Sequence, residues 1–311
     1  MVDNASSNEN PFSRFFEPES IAIIGSLKQG GFGGYVVIKS LLKAGYPGRI
    51  FPINPSYPEV LGINSYPSVK DVPEPIDLDL IMINARNVAS VLQECAESHI
   101  RAVVVVADGF AERDAAGAKL QDEIVAMGKK QGIRIIGPNT AGIANAQNGL
   151  NPCPYDAGYY RFRKGPVTIC AQSGMINPQA FAYPQMRFGI SKICDFGNKC
   201  DLDEADLLEY LEKDDTTQVI SMYLESIKDG RRFLAMCERV TPQKPILALK
   251  LGTTAAGVEA SKSHTGSMAV DDAIFDAACA QAGVLRLREF SELFELPKMF
   301  ASQPLPEGNR F

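Results

Sequence analysis

The stretch Ser20–Gly45, SIAIIGSLKQGGFGGYVVIKSLLKAG, decides the fold. It opens on an unbroken apolar run, SIAIIG, and passes through Gly25, Gly30, Gly31, Gly33 and Gly34 into the helix-like YVVIKSLLKAG. A strand apolar on both faces belongs in a parallel sheet that is covered on each side. The glycines let the backbone bend tightly where that strand ends and a helix begins. Unpaired N–H groups and the helix dipole at such a point favour an anionic phosphate. In a doubly wound sheet this is also where the ligand crevice lies. The bland alternative is a strand-to-helix turn that needs its glycines only for packing.

The spacing is not a clean G-x-G-x-x-G, because the loop is longer and contains Lys28. The second apolar run, in RIFPINPSYPEV, ends on Asn54 and Pro55, where a dinucleotide-binding sheet would carry an acid for the ribose. NAD is therefore disfavoured, and a nucleotide with differently placed phosphates is left open.

Downstream, LDLIMIN, RAVVVVA and IRIIG repeat the apolar run, separated by the helix-like NVASVLQECAES and AAGAKLQDEIVAMGKKQG. Residues 11–145 therefore read as one doubly wound domain. The stretch NAQNGLNPCPYDAGYYRFRKGP breaks the rhythm with Asn, Pro and Gly, and marks a domain boundary. After it, PVTICAQ, ISKICDF, TTQVISMYLE, KPILALKL and GVLRL read as strands. MINPQAFAYPQMRFG, DEADLLEYLEKD, GRRFLAMCERV, TGSMAVDDAIFDAACAQAG and EFSELFELPKMFA lie between or after them as helical segments. Residues 146–311 form a second parallel α/β domain on this reading, and two such domains commonly share a ligand at their junction.

The chain of 311 residues carries a net charge of −6 with its cations dispersed, which gives nucleic acid or an anionic membrane no general attraction. Its apolar runs are too short to span a bilayer, and the opening MVDNASSNENPF lacks the apolar core of a secretory signal. Cysteines 95, 153, 170, 194, 200, 237 and 279 include no C-x-x-C, and several sit inside apolar runs. They read as buried free thiols, with no metal site, in a reduced cytoplasmic protein.

Three places carry chemistry. In VTICAQSGMINPQAF, Gln172, Ser173 and Gly174 stand between a buried strand and an expected helix, where Ser173 can cap while the next N–H groups face outward. In ASKSHTGSMAVDD, Thr265 and Gly266 open another helix, and two such starts could converge on one phosphoryl group. Either could also be an ordinary Ser/Thr cap. His264, one of two histidines, lies at that second start, where the helix end keeps imidazole neutral and nucleophilic toward phosphorus. Glu225, at the end of VISMYLE, is the carboxylate best placed to fix its tautomer. The other histidine, His99 in AESHIRA, reads as structural or solvated.

SHTGSMA, YLE, QSGM, GPNTAGIAN, DFGNKCDLDEADLLEYLEKDDTTQVI and PINPSYPEVLG together, over nearly the whole chain and each in its expected place along it, resemble the NDP-forming acyl-CoA synthetases. These are relatives of succinyl-CoA synthetase and of ADP-forming acetyl-CoA synthetase. The resemblance is to their α component, a Rossmann-like CoA-binding domain followed by a flavodoxin-like ligase domain. It implies that an ATP-grasp β subunit, in an α2β2 or similar complex, binds ATP or GTP with Mg²⁺ and phosphorylates His264. The phosphoryl group would pass to a small carboxylic acid as an acyl phosphate, and CoA would then attack. The resemblance places Glu225 beside the histidine and CoA at Gly25, Ser26, Lys28 and Gly33. It adds Pro52, Asn54, Pro55, Asn84 and Asn139 to that crevice. The chain departs from the family pattern at Gly252–Thr253–Thr254, where a Gly-Arg-(Ser/Thr) turn is usual. It departs again at Lys262, usually a small residue, and at Ser56, usually Lys. A noncatalytic CoA- or nucleotide-sensing module of the same fold is the alternative that the missing arginine would suit.

Overall fold

The computed structural model describes residues 10–156, 158–183, 186–252 and 271–304. Its architecture is set by two sheets. The first has strands β1 (Ser20–Gly25), β2 (Arg49–Ile53), β5 (Leu78–Met82), β6 (Ala102–Val105) and β7 (Arg134–Ile136) in the order β2-β1-β5-β6-β7. All its pairs are parallel. A small hairpin, β3 (Glu59–Val60) and β4 (Ile63–Asn64), follows β2. Every residue of β1 is buried, as a strand covered on both faces requires. Helices α2 (Gly34–Ala44), α3 (Val88–Glu97) and α4 (Ala115–Gln131) provide the cover. Helix α2 ends on Gly45 at φ 79°, whose N–H returns to the carbonyls of Leu41 and Leu42. Helix α4 starts on Asp114, whose side chain accepts the Gly117 N–H at 2.7 Å.

The second sheet repeats the plan. Strands β9 (Lys164–Ala171), β10 (Ile190–Asp195), β11 (Val219–Leu224), β12 (Ile246–Lys250) and β13 (Leu285–Leu287) run parallel in the order β10-β9-β11-β12-β13. Taken in chain order, both sheets therefore read 2-1-3-4-5, with the reversal between the first and third strands. Strand β8 (Ile143–Asn145) adds an antiparallel edge beside β10. Helices α5 (Glu204–Leu211) and α6 (Gly230–Val240) follow β10 and β11. Asp203 and Asp206 form a reciprocal capping box at the start of α5.

The strands read from the apolar runs are all present. Three elements were not foreseen: the β3–β4 hairpin, strand β8, and the short helix α1 (Phe12–Phe16). The last two bear on the boundary expected at residue 145. Strand β8 hydrogen-bonds to the second sheet, and the Asn145 side chain donates to the Phe16 carbonyl at 2.9 Å. Phe12 and Phe16 pack on Tyr210 of α5 at ring distances of 6.2 and 5.4 Å. Both ends of residues 11–145 thus fasten to the second sheet.

One expected helix is absent. MINPQAFAYPQMRFG forms no helix among its described residues. Successive turns replace it: the Ile176 N–H donates to the Ser173 carbonyl at 3.0 Å, and that of Ala180 to Asn177 at 2.9 Å. Pro178 explains the change. It has no N–H for the Gly174 carbonyl, and it disfavours the helical conformation at Asn177. Asn177 instead turns its Oδ1 onto the Gln179 N–H at 2.9 Å. Ser173 therefore caps no helix, and no helix dipole stands behind Gly174.

The seven cysteines are free, and all but Cys200 are buried. No helix among the described residues is long and apolar enough to cross a membrane.

Candidate functional site

In each sheet the reversal of strand order opens a gap at the carboxyl ends of the first and third strands. The first gap lies beyond Gly25 and Met82, which are paired in register. A Cβ on Gly25 would sit 2.9 Å from the Met82 carbonyl oxygen, and one on Gly34 would sit 3.1 Å from that of Ser26. These glycines are required for packing. Gly33, at φ 116°, needs a conformation that other residues resist. Gly30 differs, with only distant backbone neighbours, and a Cβ on Gly31 would meet nothing within 4 Å. The packing and ligand readings of the loop thus divide between different glycines.

Ser26 and Lys28 are exposed on this loop. Asn54 braces it from beneath, donating from Nδ2 to the Gly25 carbonyl at 2.7 Å and accepting the Ser56 N–H at 2.9 Å. Pro52 is buried in β2, in register with Ile23, while Pro55 is exposed beyond Asn54. The loop is also joined to the second half. Phe32 bridges to Tyr155 with rings 5.1 Å apart, and the Gly33 N–H donates to the Pro154 carbonyl at 3.2 Å.

The second gap lies beyond Ala171 and Leu224. The Gln172 side chain spans it: Oε1 accepts the N–H groups of Glu225 (2.8 Å) and Ser226 (3.0 Å), and Nε2 donates to Ser226 Oγ at 3.1 Å. Its amide is therefore engaged inside the protein. In contrast, the N–H groups of Ser173, Gly174 and Met175 have no acceptor among the described residues. Three consecutive free N–H groups in a turn form an anion-binding concavity without any helix.

Glu225 is buried at the end of β11. Asp195, at the end of β10, is fully enclosed and accepts N–H groups from Ala141 (2.6 Å) and Gly197 (3.2 Å). Burial raises its carboxyl to about 6, and the charge of Glu225 adds to that effect. Asp195 Oδ2 lies 3.5 Å from where a Cβ on Gly174 would stand, so glycine there keeps the turn against the acid.

A cavity of about 470 Å³ connects the halves. The Gln172–Gly174 turn lines it from the second sheet, and Asn84 and Asn139 line it from the first. Asn84 caps a short 3₁₀ turn, accepting the Arg86 N–H at 3.1 Å. Asn139, at φ 59°, donates to Asn198 Oδ1 at 3.3 Å. Of the expected CoA residues, only these two line this cavity; the glycine loop reaches its edge through Phe32. Asp108 and Tyr155 also line it and were not foreseen. Asp195 was missed as well, although it stands at a strand end inside the quoted DFGN segment.

His264, Thr265, Gly266, Lys262, Thr253 and Thr254 lie outside the described residues. The chain on either side is described. Lys250, the last residue of β12, lies 3.6 Å from Asp272, the first residue of the helix Asp272–Ala282. Asp271 caps that helix, accepting N–H groups from Ala273 (2.9 Å) and Ile274 (3.2 Å), so it starts at Asp272 and is not the single helix through Asp271 that was expected to open at Thr265–Gly266. His99 is exposed at the end of α3, at φ 61°.

Two doubly wound sheets joined by one cavity define an α/β protein with two Rossmann-like halves. Residues 19–146 match the model of a CoA binding domain, and residues 164–300 that of a succinyl-CoA ligase like flavodoxin domain. An ADP-forming acetate–CoA ligase II of Archaeoglobus fulgidus is 38% identical over 95% of this chain and 44% of its own length. The α subunit of an ADP-forming acetate–CoA ligase I of Pyrococcus furiosus is 35% identical over 94% of this chain and 64% of its own length. Among solved structures, acetyl-coenzyme A synthetase 1 of Ca. Korarchaeum cryptofilum, in complex with phosphate and ADP, superposes with a TM-score of 0.90. It is 35% identical and covers 96% of this chain, which spans 64% of it. The chain belongs to the NDP-forming acyl-CoA synthetases. It spans between 44% and 64% of the length of the two relatives named.

Proposed function

We propose that this chain is the α component of an NDP-forming acyl-CoA synthetase, an acid–thiol ligase of the cytoplasm. Residues 11–145 serve CoA and residues 146–311 carry the phosphoryl group. A separate ATP-grasp β subunit, in an α2β2 or similar complex, holds ATP or GTP with Mg²⁺. His264 attacks the γ-phosphorus and the nucleoside diphosphate leaves. Glu225 fixes the ring tautomer and stabilises the charge that develops on it. The phosphohistidine passes its phosphoryl group to the carboxylate of a small acid, which restores the imidazole and gives an acyl phosphate. The CoA sulfur, having lost its proton, displaces phosphate from the acyl carbon to give acyl-CoA.

The observation that carries this reading is the second gap. It sets the free N–H groups of Ser173, Gly174 and Met175 beside buried Glu225, at the carboxyl edge where the described chain stops after β12. The Lys250–Asp272 contact ties both ends of the His264 segment to that edge. Thr265 and Gly266 complete the phosphate contacts with Ser173 and Gly174. For CoA, the open space at Gly30 and Gly31 suits a diphosphate approaching backbone, with Gly25, Ser26, Lys28 and Gly33 around it. Pro52, Asn54 and Pro55 support the loop, and Asn84 and Asn139 lead from it into the shared cavity.

The test is to incubate the chain and an ATP-grasp partner with γ-labelled ATP. Acid-labile, base-stable label is expected on the wild type and absent from His264→Ala. A wild type that takes no label, or label that persists in His264→Ala, would falsify the reading.

A further inference from the structure

Lys199 and Glu204 form a buried ion pair, Nζ to Oε2 at 2.7 Å, with side chains 1% and 2% exposed. Such a pair costs desolvation, and apolar residues of similar volume often hold a fold equally well. Its geometry points to another use. Lys199 Nζ also donates to the Ser226 carbonyl at 2.7 Å, while Glu204 opens helix α5. Lys199 is itself held in place. Its backbone is left-handed at φ 54°, its N–H donates to the Phe196 carbonyl at 2.9 Å, and its own carbonyl accepts from Lys228 Nζ.

Gln172, just beyond the neighbouring strand β9, grips the same dipeptide, accepting the N–H groups of Glu225 and Ser226. Three backbone groups of Glu225–Ser226 are thus pinned by two side chains from two other loops. An ammonium contributes more to such a bond than a neutral donor does. A peptide held at three backbone groups leaves the Glu225 carboxylate little freedom beyond its own side-chain torsions.

We propose that the Lys199–Glu204 pair is a positioning device for Glu225, acting with Gln172 as its counterpart. This inference rests on the phosphohistidine reading of His264. In it, Gln172 acts through Glu225 rather than on the phosphoryl group. A misplaced carboxylate slows the transfer of phosphorus while leaving CoA binding untouched, since CoA is held in the first gap.

The deciding variant is Lys199→Met with Glu204→Met, which removes both charges and keeps the volume. It is assembled with the ATP-grasp partner and compared with the wild type. Its thermal unfolding is expected to stay near that of the wild type. KM for CoA should hold, while kcat and the rate of His264 labelling fall about ten-fold or more. Wild-type kcat and labelling in the folded double variant overturn the inference. So does an equal loss of kcat and of CoA affinity, which marks a general structural role. If the double variant does not fold, Gln172→Met gives the same decision through the other grip: lowered kcat at constant KM supports it, and unchanged kcat overturns it. A wild type that takes no label brings down the phosphohistidine reading first. A labelled wild type beside an equally labelled variant brings down the positioning role alone.

Discussion

The two sheets have the same strand order, and their gaps are furnished in opposite ways. Beyond β1 and β5 the lining is backbone. Gly30 and Gly31 face open space, and Ser26 and Lys28 lie exposed at the surface. Beyond β9 and β11 the backbone turn Ser173–Met175 is backed by buried side chains: Gln172, Asp195, Glu225, Ser226 and Lys199 are each enclosed. A backbone-lined gap suits a ligand that is held and released, because N–H groups cradle phosphate without titrating. A gap packed with buried acids suits chemistry, because carboxylates removed from water are strong electrostatic elements. One topology therefore accommodates binding in one copy and reaction in the other.

The sharpest way to break this comparison is Glu225→Gln. Acyl-CoA formation by the assembled complex is expected to fall about a thousand-fold, on the scale of losing a positioned acid–base group. CoA affinity measured by calorimetry should not change. A parallel loss of CoA affinity would merge the two gaps into one function.

The next effect is one of pH. Asp195 has a carboxyl raised to about 6 by burial, against an ordinary value of 3.8. A folded-state value above the unfolded one favours the protonated form. Its contribution is therefore fully present below about pH 4 and is lost as pH rises through about 6. The loss is of order 3 kcal/mol. Asp195→Asn should flatten the stability profile across that window in urea titrations. An unchanged slope would mean that the acid is less enclosed than its contacts indicate. The first sheet has its own enclosed acid, Asp79, raised to about 7 by burial and hydrogen-bonded to the Cys95 thiol at 2.9 Å. Its window should extend correspondingly higher, and Asp79→Asn measures it.

Smaller effects separate the glycines. Gly25→Val must displace the Met82 backbone and is expected to cost about 2 kcal/mol in denaturant melts. Gly31→Ala meets nothing and should lie within about 0.5 kcal/mol of the wild type. Equal costs at the two positions would show that the loop is packed throughout.

Most of the sheet framework was legible because its strands are buried on both faces and flanked by helical periodicity. SIAIIG, LDLIMIN and VISMYLE can hardly be read otherwise. Strand β8 escaped because three residues of an edge strand, in GIAN, carry no period of their own. The segment after Gly174 misled because its apolar residues suggest a helix, while Pro178 dictates turns through the backbone. At the site, Gln172 and Glu225 were visible as residue types at strand ends. Their joining was not, because it depends on β9 and β11 being neighbours in the sheet. Lys199 and Asp195 were hidden for a related reason. Each lies at or just beyond the end of β10, on the far side of β9, and acts on a loop distant in sequence.

The central claim is that binding and phosphoryl transfer are divided between the two gaps, and Gly31→Glu tests it most directly. The substitution places a negative charge in the open space of the first gap and touches nothing in the second. ATP-dependent labelling of His264 should remain at the wild-type level in the assembled complex while acyl-CoA formation is lost. Label that disappears with acyl-CoA formation, or acyl-CoA formation that proceeds unimpaired, would contradict the division.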